Sequence, residues 1–285
     1  MRKYVLQSIV GGSCLLLLAG VGYFALYPHW LAYRHTTQAQ QALDRYDLAQ
    51  AQVHLERVLQ LQPSNAEMRF LMARTCRRAA NYPTANHHLS EARRLGWVED
   101  MLELEEHLSD AQRQGPSGPN EKVLQALVRA RHPEDRAILE ALYKGYRNAL
   151  YLNEATTWLT VWIERYPNDW LPYLWRGDLL QSFRHFDKAR ADYQRLLELK
   201  ADCSEAHLHL GQIALANAEE SETALHHFRT YLGSHPGDAE ALLGIAQCQT
   251  NLHHPEAAIA TLRELLVQHP EHAAGMRLLA MREME

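Results

Sequence analysis

Residues of like kind return every 34 positions along this chain. Ala51 and Ala85 are so spaced, as are Ala155 and Ala189, Ala224 and Ala258, Gly177 and Gly211, Pro133 and Pro167, and Pro236 and Pro270. Such a period marks one small supersecondary unit copied along the chain. A unit that small cannot bury its own apolar face, so copies stack and share a core. Leu and Ala dominate and β-branched runs are few, so the expected unit is helical. The 14 glycines and 11 prolines are spread at intervals, which argues against low complexity and disorder.

Counting each unit from 1 to 34, Ala falls at position 20 in every unit, and a small residue at position 8 in all but 136–169, where Tyr143 stands. Large apolar residues fall at 24, and proline at 32 ends the second helix by removing an N–H donor. The unit 170–203 carries Gly177, Leu180, Ala189 and Tyr193; 204–238 carries Leu210, Gly211, Ala214, Ala224, Phe228 and Pro236, with one residue inserted near Glu219. The unit 239–272 carries Ile245, Ala246, Ala258, Leu262 and Pro270, and 136–169 carries Leu142, Tyr146, Ala155, Leu159 and Pro167. Toward the N-terminus, 32–65 offers Ala39, Ala51, Leu55, Val58 and Pro63, and 66–97 offers Met72, Ala73, Ala85, Leu89 and Ala92. These six units resemble the tetratricopeptide repeat (TPR) family over most of residues 32–272. The resemblance implies an all-α fold: a right-handed α-solenoid of helix-turn-helix repeats within residues 28–285.

The stretch 98–135 departs from the register. Leu102, Leu104 and Leu108 make one helical face and Leu124, Leu127 and Val128 another, but Gly115-Pro116-Ser117-Gly118-Pro119 interrupts them and Glu121 stands where the family has Ala. It reads as a degenerate unit with a long turn, or as a break between two sub-solenoids. Residues 273–285 read as a capping helix.

Tyr4 to Tyr27 form a run of 24 residues without a charge. As a helix this run extends about 36 Å, enough to cross a ~30 Å hydrocarbon core. Arg2 and Lys3 precede it, and Tyr23, Tyr27 and Trp30 lie at its far edge, where interfacial aromatics belong. The expectation is a membrane protein with residues 1–3 in the cytoplasm, a signal-anchor helix over 4–27 and the repeat body outside the cytoplasm, periplasmic in a bacterium. A cleaved signal peptide and a lipoprotein acylated at Cys14 are the rival readings.

No catalytic motif accompanies the repeats: there is no phosphate-binding glycine loop, no H-E-x-x-H and no G-x-S-x-G. The expectation is therefore no enzyme, no cofactor, no metal site and no small-molecule substrate. The formal charge of −5 argues against a nucleic-acid partner. Cys14, Cys76, Cys203 and Cys248 form no C-x-x-C pair and read as small buried thiols. The 17 histidines include the adjacent pairs His87-His88, His226-His227 and His253-His254. Neighbours on a helix diverge by about 100° and cannot chelate one ion together, so these read as surface and turn residues with a collective pH response near neutrality.

The family resemblance implies that the first helix of each unit lines a concave partner groove. Carried onto this chain, its lining positions include Phe70, Arg74, Arg77 and Arg78, then Lys144 and Arg147, then Leu174 and Asp178, Leu208 and Gln212, and Leu243 and Gln247. The N-terminal half of that groove is basic and fits a peptide with an acidic segment. The C-terminal half alternates Leu with Gln or Asp, and an amide at Gln212 or Gln247 can bond an extended backbone. The expected function is a membrane-anchored scaffold or adaptor for a partner protein or peptide. A chaperone-like holdase for secreted proteins and a non-catalytic subunit of an envelope complex are the alternatives.

Overall fold

The computed structural model of the chain describes residues 26–115 and 119–284. Every regular element among them is helical, and no strand occurs among the described residues. The chain divides into two compact units, one ending at Leu150 and one beginning at Tyr151. The first holds α1 (26–44), α2 (Leu48–Leu61), α3 (Ala66–Arg78), α4 (Tyr82–Arg94), α5 (Glu99–Gln114), α6 (Pro119–Arg129) and α7 (Asp135–Asn148). The second holds α8 (Leu152–Arg165), α9 (Leu171–Ser182), α10 (Phe186–Leu199), α11 (Ser204–Leu215), α12 (Ser221–Ser234), α13 (Ala239–Asn251), α14 (Pro255–Gln268) and α15 (Ala273–Glu283). The division falls inside the repeat read as 136–169, not at 98–135; α5 and α6 pack on each other and on α7 within the first unit.

Local chemistry sets the helix starts. The side chains of Asp47, Asn65, Asn81 and Asp238 accept hydrogen bonds from the first-turn N–H groups of α2, α3, α4 and α13. In the repeats 32–65, 66–97, 170–203 and 239–272 the hairpin turn closes through a left-handed residue at position 15: Tyr46, Ala80, Arg184 and His253 all have φ near 60°. The following N–H then reaches back five residues, as Asn81 does to the Cys76 carbonyl and His185 to that of Leu180. The repeat 204–238 replaces this turn with a short 3-10 turn at Ala218–Glu220, which takes up the inserted residue.

Packing follows the register. Ala51, Ala85, Ala155, Ala189, Ala224 and Ala258, all at position 20, are buried to 1% exposure or less. A Cβ at Gly177 would come within 2.7 Å of the Tyr193 ring, so position 8 must stay small for position 24 to be aromatic. Cys76, Cys203 and Cys248 are buried free thiols, and burial pushes each up to about 11, away from reactivity. Among the described residues no helix is long and apolar enough to cross a membrane, and the run 4–27 lies outside them but for residues 26 and 27.

The irregular stretch packs by different means. Position 8 of the repeat 136–169 is Tyr143, which is buried, and the close crossing moves to Gly145. A Cβ there would fall on the Ala111 carbonyl oxygen of α5, a backbone atom that cannot swing away. Gly145→Ala gains about 1 kcal/mol of helix propensity but overpacks this crossing, which costs about 1–3 kcal/mol and more against backbone. Net destabilisation is the expected result in urea unfolding; a stabilised variant would refute the tight crossing of α5 and α7.

Candidate partner-binding site

The cations assigned to the N-terminal groove face carboxylates of their own chain. Arg77 on α3 is fully buried and its Nε donates to Glu105 Oε1 on α5. Its Nη1 donates to Gln112 Oε1 at 2.9 Å, and Gln112 Nε2 donates back to the Arg77 carbonyl at 2.9 Å. Arg74 bridges Glu105 (3.2 Å) and Glu134 (3.0 Å). Glu105 occupies position 8 of the degenerate repeat, so a buried carboxylate replaces the usual small residue and draws two arginines from the neighbouring repeat.

A second cluster centres on Glu140 of α7. It accepts from Arg78 Nε at 3.0 Å, Lys144 Nζ at 2.9 Å and the Tyr46 hydroxyl at 2.6 Å. Lys144 also donates to the Tyr46 hydroxyl and to the Arg78 carbonyl, while the Arg78 guanidinium lies 4.5 Å over the Tyr46 ring. Burial pushes the Glu140 carboxyl up, but Lys144, Arg78 and Arg77 outweigh it and hold it at about 2. Burial lowers Lys144 despite Glu140 and raises Tyr46, with the Glu140 charge adding to the latter.

Five site assignments are corrected by this geometry. Arg77 is core and presents no surface. Arg74, Arg78 and Lys144 are about one-fifth exposed or less and already paired, so they tie helices together instead of forming a free basic patch. Phe70 is 5% exposed, stacks on Trp97 at 5.6 Å and sits beneath the Arg74 guanidinium. Of the assigned residues in this unit, Arg147 alone is exposed. The sequence register carries no information on Glu105, Glu134 and Glu140, which lie up to 62 residues away.

The second unit keeps an open row. Leu174, Leu208 and Leu243 stand at the same repeat position on α9, α11 and α13, each half-buried over the core beneath. Beside them runs a polar row. Gln181 Nε2 donates to Gln212 Oε1 at 2.9 Å, and Gln212 Nε2 donates to Glu240 Oε1 at 2.7 Å. Asp178 accepts from the Tyr193 hydroxyl at 2.8 Å and lies 3.4 Å from His209 Nε2, whose ring stacks on Tyr193. Gln247 continues the row, exposed, on α13. The amide chain holds successive first helices in register and leaves an apolar strip bordered by donors and acceptors. Gln181 and Glu240 fall at lining positions that the family resemblance implies, whereas His209 does not; its stacking on Tyr193 leaves no mark in the repeat spacing.

Models of the tetratricopeptide repeat match residues 176–219 and 218–281. No curated protein matches the chain. Among solved structures, pilF of Pseudomonas aeruginosa is 14% identical, with 89% of this chain and 99% of that one covered at a TM-score of 0.51. MamA from Desulfovibrio magneticus RS-1 (from residue 41) is 18% identical, covering 52% and 82% at 0.49. YrrB, described as a TPR protein with an unusual peptide-binding site, is 16% identical, covering 79% and 96% at 0.47. The chain thus carries tetratricopeptide repeats in its C-terminal part and shares its helical fold with pilF.

Proposed function

We propose that this chain is a membrane-anchored, non-catalytic scaffold that holds a protein partner against the first helices of its second unit. The observation carrying this reading is the half-exposed row Leu174, Leu208 and Leu243 beside the amide ladder of Gln181 and Gln212. Apolar side chains at one repeat position, flanked by backbone-matching amides, fit an extended peptide with apolar residues at intervals. Repeats of this kind serve protein recognition in the family the chain resembles.

Anchoring is supported at the described start of α1. Leu26, Tyr27, Trp30 and Tyr33 are all exposed there, and Tyr27 stacks on Trp30 at 5.9 Å. Arg34 lies 5.8 Å from the Trp30 ring. Exposed aromatics with a neighbouring cation, directly after an uncharged run of membrane length, fit the lipid–water interface. The proposed orientation puts Arg2 and Lys3 in the cytoplasm and the repeats outside it.

Affinity capture of the full chain from native membranes tests the reading. Wild-type protein is expected to hold a few stoichiometric partners and to resist alkaline carbonate extraction. Leu208→Glu with Leu243→Glu is expected to weaken capture by tenfold or more (about 1.4 kcal/mol) while the protein stays in the membrane. An unchanged capture profile would rule out this row as the docking surface, and release by carbonate would rule out the anchor.

A further inference from the structure

Three hairpins carry a histidine facing a second basic side chain at one recurring place. Position 4 on the first helix meets position 23 on the second. In α1–α2 these are His35 and His54, with Nδ1 atoms 3.1 Å apart. In α11–α12 they are His207 and His227, 2.9 Å apart. In α3–α4 they are Arg69 and His88, with Nη1 3.3 Å from Nδ1. The coincidence is one of repeat position, since the pairs are separated by 19 or 20 residues within each hairpin.

Each contact tolerates a limited number of protons. Two Nδ1 atoms in hydrogen-bond contact share a single proton, one ring donating and the other accepting. One added proton makes one ring a cation that still donates to its neutral partner; an added proton on each ring leaves two N–H donors and two positive charges head to head. Arg69 always donates, so a proton on His88 Nδ1 breaks that contact at once. The surroundings offer little counter-charge. Arg34 and Arg57 face the first pair, and His87 and the opposing carboxylate of Glu91 face His88. His226 and Arg190 face His227, and Arg190 is itself paired with Glu220 at 2.8 Å. Among the described residues no third His, Cys, Asp or Glu converges on these pairs, so a transition-metal ion would find an incomplete ligand set.

We propose that the pairs His35–His54, Arg69–His88 and His207–His227 are acid-sensitive latches that hold their hairpins closed at neutral pH and loosen them on acidification. Burial first, then the neighbouring cations, lowers His35 and His207 and brings His88 and His227 to about 4. A folded-state value below the unfolded 6.5 means the stabilisation is complete above 6.5 and is lost as pH falls from there toward 4. The α9–α10 hairpin is built differently: Asp192 at position 23 takes a bidentate pair from Arg176 at 2.6 and 2.8 Å, a contact that contains no imidazole. Because α11 carries Leu208 and Gln212, its loosening would release a partner held there. That consequence rests on the docking surface proposed above; the latch itself does not.

Amide hydrogen exchange of the full chain in detergent micelles, without partner, reads the latch directly. Between about pH 8 and about pH 5.5, after correction for intrinsic rates, α11–α12 is expected to lose protection by about tenfold more than α9–α10. The triple variant His54→Gln, His88→Gln and His227→Gln leaves at most one imidazole in each contact, facing an amide whose oxygen still accepts when that ring is protonated, and should abolish the difference. Equal loss in the two hairpins, or an undiminished difference in the triple variant, overturns the proposal. Should the triple variant fail to fold, the comparison of hairpins within the wild-type protein decides.

Discussion

Arg77→Ala is expected to destabilise the first unit by about 3–5 kcal/mol, the cost of leaving a buried charge without its partner. The Glu105 side chain is 1% exposed and would retain Arg74 alone, at the edge of the cluster. Gln112 would lose the donor to its Oε1, although the hydrogen bond to the residue 77 carbonyl survives the substitution. Removing both charges together is a different experiment. Arg77→Met with Glu105→Leu replaces the pair by apolar volume and is expected to recover most of the loss, because the desolvation penalty of both ions disappears with them. Urea unfolding of the three proteins, with hydrogen exchange to assign the transition to the first unit, measures both effects. A loss below about 1 kcal/mol for Arg77→Ala would mean that water reaches Glu105 and that the arginines form the solvated surface the sequence implied. Glu140 gives the second cluster a pH signature. Its depressed carboxyl contributes stability that is complete above the unfolded 4.5 and is lost as pH falls toward 2.

The reach of the sequence register explains which features were legible. Positions 8, 20 and 24 concern residues in one hairpin, so Gly177 against Tyr193 and the buried alanine series follow from spacing alone. The row Leu174, Leu208 and Leu243 was legible for the same reason, since one lining position recurs three times. The basic groove was not, because Arg74, Arg77 and Arg78 are each answered by a carboxylate from another repeat, and Tyr46 meets Glu140 across 94 residues. A register counts positions within a unit and says nothing of pairings between them. The position-15 turns escaped notice for a different reason. Left-handed turns announce themselves by Gly or Asn, and here Tyr46, Ala80, Arg184 and His253 accept that conformation without either. The histidine latches needed two facts at once, the repeat position and the contact. Reading His226-His227 as neighbours along one helix hid the partner of His227 on the facing helix, His207.

Phe228→Ala is expected to cost the second unit about 3–5 kcal/mol, with the larger part arising from the cavity left behind. The ring is 1% exposed and fills the space between two glycines of successive repeats. A Cβ added at Gly211 would approach it to 2.9 Å, and one at Gly244 to 2.6 Å. One side chain therefore serves both the α11–α12 hairpin and its contact with α13, and its loss weakens neighbouring repeats together. This arrangement makes a reversal of sign the sharper test. In the wild-type protein Gly244→Ala gains about 1 kcal/mol of helix propensity but pushes a methyl into the ring, and the overpacking prevails. Once Phe228 is alanine, the same methyl enters an empty space, so Gly244→Ala should become stabilising. A double-mutant cycle from urea unfolding measures the coupling, expected at about 1–3 kcal/mol for residues in contact. Additive effects within about 0.5 kcal/mol would show that the ring and the glycine do not share the space, and that the repeats join by some other contact.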